Sequence, residues 1–178
     1  MGLDHTHTPD PPLIRSATPE DWPAIWPILH AIGTAGETLA YDPGRAEDSA
    51  RTGWMRKPGR TFVAVLDGVV AGSAFMHPNH SGNGSHVANA GFIVDPAFGG
   101  RGIGRALCAH VLDSARSDGY RAMQFNAVVE TNTRTVRLWQ SFGFEILATV
   151  PEAFHHPVHG YVGLHIMYRR LDQHSDAG

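Results

Sequence analysis

Four glycines within six residues, Gly99, Gly100, Gly102 and Gly104, are interleaved with Arg101 and lead directly into Arg105. Glycines at this density let a backbone turn with positive φ and approach a ligand with no Cβ in the way. An amphipathic segment follows, and a helix starting there would aim its unpaired N–H groups and positive dipole end at the same point. With two guanidinium groups added, the arrangement suits a bound phosphate. A flexible helix entry would account for one or two of these glycines, not for the set. Two familiar phosphate sites do not match it. Where a P-loop needs lysine followed by Ser or Thr, the chain has Arg105-Ala106, which disfavours nucleoside triphosphate hydrolysis. A dinucleotide-binding fingerprint aligned on Gly102 and Gly104 would put its third glycine at Leu107.

Other groups capable of chemistry are scattered. Asn126 is a polar residue in the otherwise apolar-leaning run 123–129, six residues before Asn132. His155, His156 and His159 carry imidazoles whose ordinary pKa of about 6.5 suits proton transfer near neutrality. Yet 12 histidines are spread along the chain, so three in one stretch single out no base. Their spacing lacks the neighbouring carboxylate or cysteine pattern of a metal centre, and no metal is expected. Cys108, inside the helix that follows the glycines, reads as a small apolar residue rather than a nucleophile. As the single cysteine it excludes an intrachain disulfide framework and suits a reducing cytoplasm.

These groups must be positioned by the elements around them. A strand is predicted over 13–17, followed by a helix start at Thr18-Pro19-Glu20-Asp21. Trp22, Ile25, Trp26, Leu29 and Ile32 form an apolar stripe down to a stop at Gly33. A loop over 33–41 and a more polar helix over 45–57 come next. Strands over 60–66 and 69–76 flank Asp67-Gly68, a strong two-residue hairpin signal. A turn-rich connection over 77–84 leads to a strand over 85–94 and the glycine corner. Ile103, Leu107, Val111 and Leu112 then define a helix face that ends at Gly119. A strand over 123–129 and a helix over 132–142 follow. The chain closes with a strand over 144–150, a histidine-bearing loop over 151–160 and a strand over 161–171. Hairpins mixed with crossovers give an α+β class, a mixed sheet with helices on both faces. Residues 13–171 read as one domain, between a polar, flexible arm over 1–12 and a short tail over 172–178. A hydrophobic content of 42% with 17% charged residues argues against disorder. A net charge of −3 gives no broad attraction to nucleic acid, and no apolar run approaches the ~20 residues of a membrane helix.

The Val94-Asp95-Pro96 step, the loop 99–104 and the helix to Gly119 resemble the cofactor motif of the GNAT family of acyl-CoA-dependent N-acetyltransferases. The segment 132–144, Asn-Thr-Arg-Thr-Val-Arg-Leu-Trp-Gln-Ser-Phe-Gly-Phe, is similar to the next motif of that family. The resemblance implies the GNAT fold, with a mixed, mostly antiparallel central sheet of about seven strands. It also implies acetyl-CoA as acyl donor. Its pyrophosphate would lie on the amides of Gly99, Gly100, Arg101, Gly102, Ile103, Gly104 and Arg105, and its pantetheine would pair with Phe92, Ile93 and Val94. Asn132 and Trp139 would lie along the same arm. Two departures stand out. Gly99 replaces the Arg or Gln common in relatives, leaving Arg101 and Arg105 to compensate. Trp139 stands where many relatives carry a tyrosine that protonates the departing thiolate, and an indole donates a hydrogen bond without being a useful acid. A thiol with a cysteine-like pKa of ~8.5 can leave with hydrogen-bond help alone.

Asn126 and Asn132, with Glu130-Thr131 and Val150-Pro151-Glu152-Ala153, also resemble fungal N-acetyltransferases that act on proline analogues such as azetidine-2-carboxylate. That likeness implies that Asn126 polarises the thioester carbonyl; an edge-strand asparagine bonded to a neighbouring loop is the plainer alternative. Asn89, in the strand opposite, is a candidate to grip a substrate carboxylate, and Glu37 is a candidate base, with His155, His156 and His159 as the other options. Tyr41 and Tyr161 are candidate pocket donors. The implied reaction is direct attack of a small-molecule amine, an amino acid or an analogue, on acetyl-CoA in a ternary complex. A non-catalytic acyl-CoA-binding protein and an enzyme acting on a protein amine are the alternatives. Family resemblance further implies a homodimer; no nucleic-acid or membrane partner is expected.

Overall fold

Two β-rich runs either side of Asp67-Gly68 pair as an antiparallel hairpin, β2 (Arg60–Leu66) with β3 (Val69–Pro78). In the computed structural model, which describes residues 11–171, this hairpin is part of a seven-stranded sheet. The other strands are β1 (Leu13–Ser16), β4 (Val87–Val94), β5 (Ala122–Val129), β6 (Glu145–His156) and β7 (Gly160–Arg170). Their order is β1-β2-β3-β4-β5-β7-β6. Every neighbouring pair is antiparallel except β4 and β5, which are parallel. The expected mixed, mostly antiparallel sheet is therefore present. β4 and β5 pair only through Val87↔Ala122 and Ala88↔Met123, although both strands run on for several residues. Past Ala88 the sheet is open.

Alternation along the central strands sends neighbouring side chains to opposite faces, and each face has its own core. Val63, Phe75 and Ile93 pack with Trp22, Ile25 and Leu29 of α1 (Trp22–Ala35) and with Trp54 of α2 (Glu47–Trp54). Phe62, Met76 and Phe125 pack with Leu107 and Val111 of α3 (Ile103–Ser117) and with Trp139 of α4 (Thr133–Ser141). The entry to α1 is fixed from β1. Arg15 donates to both oxygens of the buried Asp21 at 2.7 and 2.8 Å, and the Thr18 amide donates to the same carboxylate at 2.8 Å.

Three local expectations are corrected. α1 runs through Gly33 and stops at Gly36, whose φ of 66° caps it. Gly33 instead marks a close approach, because a Cβ there would overlap the Tyr41 ring. β3 continues past Met76 to Pro78, so His77 is a strand residue. Most of the anticipated histidine-bearing loop, 151–156, is strand as well, leaving a turn over 157–159. β6 continues to His156 across a register shift between Val150 and Phe154, where Glu152 adopts φ 53°. Pro151 suggests a loop, but β6 lies at the sheet edge, where bulges and prolines are tolerated. Residues 1–10 of the expected arm and the tail over 172–178 lie outside the described residues.

Candidate active site

Where β4 and β5 part, a half-open cleft of about 1030 Å³ lies between them. One side is made by the glycine corner. Asp95 accepts a hydrogen bond from the Ala97 amide at 2.9 Å, starting a single 3-10 turn over Pro96–Phe98. Gly100 and Gly102 then take left-handed φ values of 79° and 77°, and α3 begins at Ile103. The amides of Ile103, Gly104 and Arg105 fall in the first helical turn and have no intrahelical carbonyl to bond. A Cβ built on Gly102 meets no protein atom within 4 Å. The corner thus offers bare backbone donors facing open space, which fits an anionic pyrophosphate.

Gly99, Gly100, Gly102, Ile103, Gly104 and Arg105 all line the cleft, as do Phe92, Ile93 and Val94. β4 has no β5 partner along this stretch, so its edge can accept an extended amide-bearing arm. Asn132 lines the cleft while capping α4, accepting from the Thr135 amide at 3.3 Å. Trp139, 5% exposed, forms part of the wall, with ring centroids 4.8 Å from Phe92 and 5.0 Å from Phe125. Arg105 is braced by Ser141 at 3.2 Å and lies over the Phe142 ring.

Arg101 departs from expectation. Its guanidinium is held 3.3 Å from Asp67 and over the Phe98 ring, and the residue is not on the cleft wall. Positive charge comes instead from Arg134 and Arg137, both of which line the cleft; an Arg134 nitrogen lies 3.9 Å from where a Gly100 Cβ would be. Sequence reasoning missed this pair. Their three-residue spacing at the start of a predicted helix was the available signal, since it puts both on one side.

The opposite side of the cleft is built by Ala31 and Ile32 of α1, Glu37 and Leu39 of the following loop, Phe75 and His77 of β3, Asn89 of β4 and Asn126 of β5. Asn126 lines the cleft but its amide is engaged, donating to Asn79 at 2.7 Å and accepting from Gln124 at 2.9 Å. Glu37 is an exposed rim residue. Asn89 stands opposite His77 in the β3–β4 register. His77, half-buried, stacks on Phe75 at 4.8 Å between centroids, and burial with the nearby Arg56 cation holds its imidazole below the ordinary histidine range. Sequence reasoning placed His77 in a turn; the signal for it was its two-residue offset from Phe75, which shares its face.

Three expected pocket residues are not on the cleft wall. Tyr41 packs on Gly33 with its hydroxyl buried and unpartnered, and burial raises its phenol above the ordinary range. His155 and Tyr161 face each other across the end of the β6–β7 hairpin, rings 4.8 Å apart. His156 is buried there and accepts from the amides of Val158 and His159 at 3.1 and 3.2 Å, which ties down the turn. Cys108 is fully buried, and burial pushes its thiol up to about 12, which leaves no thiolate for catalysis. Among the described residues no group of three His, Cys, Asp or Glu side chains is placed to hold a metal, and no helix is long and apolar enough to cross a membrane.

Known proteins share this arrangement. A solved GCN5-related N-acetyltransferase from Kribbella flavida is 56% identical, with a TM-score of 0.87 over 89% of this chain and 97% of that one. The yncA protein of Salmonella typhimurium, solved with its cofactor acetyl-CoA, is 26% identical, with a TM-score of 0.78 over 95% and 99% of the two chains. Among curated relatives, N-acetyltransferase aca1 of Schizosaccharomyces pombe is 34% identical over 60% of this chain and 51% of its own length. An L-methionine sulfoximine/L-methionine sulfone acetyltransferase of Salmonella typhimurium is 30% identical over 64% of this chain and 66% of its own. The matched stretches thus span from about half to just under two thirds of these curated relatives. The model of the Acetyltransferase (GNAT) family matches residues 20–144, more than half the chain and the whole of the cleft described above, and the chain belongs to that family.

Proposed function

We propose that the protein is an N-acetyltransferase that moves an acetyl group from acetyl-CoA to the amine of a small molecule, an amino acid or an analogue of one. The observation that carries this reading is the two-sided cleft. Backbone donors and arginines line one side, and a carboxylate, an imidazole and carboxamides line the other, with the unpaired edge of β4 between them. When bound, acetyl-CoA supplies an activated acyl carbon. The glycine corner with Arg105, Arg134 and Arg137 would hold its phosphates, and the edge over Phe92, Ile93 and Val94 its amide-bearing arm. Asn132 and Trp139 would flank that arm.

Holding amine and thioester together replaces a collision in water with an oriented attack, so no covalent enzyme intermediate is required. Asn126 is assigned to the carbonyl oxygen, where a carboxamide N–H counters developing charge. One N–H of this amide donates to Asn79, and the other is the donor assigned to the carbonyl. Asn89 is assigned to an acceptor carboxylate, and Glu37 to the mouth through which the acceptor enters. Trp139 has no acidic proton, so the thiolate leaves with hydrogen-bond help and is protonated from solvent. The amino-acid acceptor class is supported by the sulfoximine and sulfone acetyltransferase among the relatives, and proline analogues by the fungal likeness. The reading includes one domain over 13–171, a cytoplasmic location suited to the reduced thiol of Cys108, and a homodimer that sedimentation velocity would test.

The test is a thiol-release assay with acetyl-CoA across amino acids, proline analogues, methionine sulfoximine and peptide N-termini. Turnover confined to free amino acids or analogues supports the reading; turnover on peptides alone would transfer the activity to protein amines. The buried Trp139 favours one further reading, a non-catalytic acyl-CoA-binding protein. Tight acetyl-CoA binding by calorimetry with no turnover on any amine would establish that instead.

A further inference from the structure

An amine arriving at neutral pH is an ammonium ion with no lone pair to attack, so a proton must leave it inside the cleft. The groups that could take the proton are few. Asn89 and Asn126 are not bases. Glu37 is solvated at the rim, and His155 lies outside the cleft. His77 lies on the acceptor side, at the end of β3, directly across from Asn89, and stacked on Phe75 with Trp54 behind that ring. Resting on the N-acetyltransferase reading above, we propose that His77 is the general base that takes the proton from the acceptor ammonium.

To act as base the ring needs its Nε2 lone pair free, and the two contacts at Nδ1 bear on this. Nδ1 lies 2.8 Å from the Pro78 carbonyl oxygen and 3.0 Å from a guanidinium nitrogen of Arg56. Arg56 can donate only to an unprotonated Nδ1, whereas a proton on Nδ1 satisfies the Pro78 carbonyl; the base assignment takes the second tautomer, which leaves the Nε2 lone pair as the basic position. The charged and polar groups around the ring are Arg56 beyond α2, Asn89 across the strand pair and, further out on the same side of the cleft, Glu37. Burial and the Arg56 cation both disfavour imidazolium, so the ring is neutral and able to accept at pH 7. Arg56 would also disfavour the charged ring after transfer and hasten its release of the proton to water.

The step balances. Nε2 takes one proton from R–NH3+, giving R–NH2 and imidazolium. The amine nitrogen forms the N–C bond to the acyl carbon, the C–S bond breaks, and the electron pair leaves on sulfur as thiolate. The second nitrogen proton is lost to water as the amide forms, the thiolate takes a proton from water, and imidazolium returns its own proton to solvent. The products are the N-acetyl compound, coenzyme A thiol and one proton.

The test compares wild type with His77→Gln and His77→Ala on whichever amine the panel identifies. Melting temperature and acetyl-CoA affinity by calorimetry serve as controls, since neither variant touches the glycine corner. kcat/KM at pH 7 is expected to fall about 100-fold or more in both variants, within the usual range for a lost general base. The deficit should shrink as pH rises and the free amine populates itself, and added imidazole should restore part of the rate to His77→Ala but not to His77→Gln. A purely structural role would produce neither the pH recovery nor the rescue. Wild-type turnover with unaltered rate and pH profile in His77→Gln would overturn the base assignment and leave the acetyltransferase reading standing. A folded, acetyl-CoA-binding wild type that turns over no amine would overturn both.

Discussion

Replacing Gly102 and Gly104 separately by alanine tests the glycine corner in two ways that the structure sets apart. At Gly102 a methyl group meets no protein atom within 4 Å, so crowding is not the obstacle. The obstacle is φ, which at 77° is left-handed and costs an alanine about 1–2 kcal/mol. For a chain of this length each kcal/mol moves the melting temperature by roughly 2–4 °C, so Gly102→Ala should melt about 2–8 °C lower. If the loop instead relaxes, the amides that begin α3 turn away from the anion, and losing one hydrogen bond to a charged group, about 1.5–3 kcal/mol, weakens acetyl-CoA roughly 10- to 100-fold. At Gly104 the added methyl sits 3.5 Å from Leu138 and 3.9 Å from Val94, ordinary contact distances, in the first turn of α3. There alanine removes a helix penalty of up to ~1 kcal/mol, so Gly104→Ala should melt up to about 4 °C higher. Its affinity should stay within a few-fold of wild type. Differential scanning calorimetry of both variants, with acetyl-CoA titrations, reads the contrast. If Gly102→Ala matched wild type in both measurements, or if Gly104→Ala were the damaging change, the account of the corner would be wrong.

Asn126→Ala should lower kcat about 10-fold or more while leaving acetyl-CoA affinity nearly unchanged, the pattern of a lost donor to a developing oxyanion; a wild-type kcat would assign Asn126 to bridging Asn79 alone. The Asp21 carboxylate is held below its ordinary pKa, chiefly by its hydrogen bonds from Arg15, so its contribution to stability is complete above the unfolded value of ~3.9 and fades as pH falls through the lower folded value. Asp21→Asn should therefore lower stability by about 1–2 kcal/mol at pH 7, a figure kept small because Arg15 is partly exposed, and the gap to wild type should close in acid-titrated denaturant melts. Cys108, buried and with its thiol pushed up to about 12, should resist iodoacetamide at pH 8 in the native protein and react fully once unfolded, as mass spectrometry of the intact chain would record.

The shape of the glycine corner was readable because local residue types encode it. Glycine at 100 and 102 meets the demand for positive φ, Asp95 makes its turn two residues away, and Asn132 caps the helix it precedes. The Asp67-Gly68 hairpin was legible for the same reason. What escaped was set by distant chain. His77 becomes a cleft residue only through the register that puts it beside Asn89, and nothing within a few residues of it specifies that neighbour. Arg101 looked like a phosphate ligand until Asp67, 34 positions earlier, was seen to hold it. The second half of β6, from Pro151, reads as a loop because that proline and the histidines after it look out of place in a strand, and the bulged edge position that tolerates them is a tertiary fact. Gly33 reads as a helix stop in the sequence, whereas in the fold it is the seat of the Tyr41 ring.

The narrow junction between β4 and β5, two residue pairs wide, also divides the cleft lining along the chain. In the proposed reading, groups assigned to the acceptor come from Asn89 and before it, from α1, its loop and β3, and groups assigned to the acyl donor come from Phe92 onward, with Asn126 of β5 assigned to the acyl carbonyl where the two meet. On that reading, amine preference and acyl-donor retention would be inherited as separate modules along one gene. Recombination near residue 90 could exchange the first while leaving the second intact.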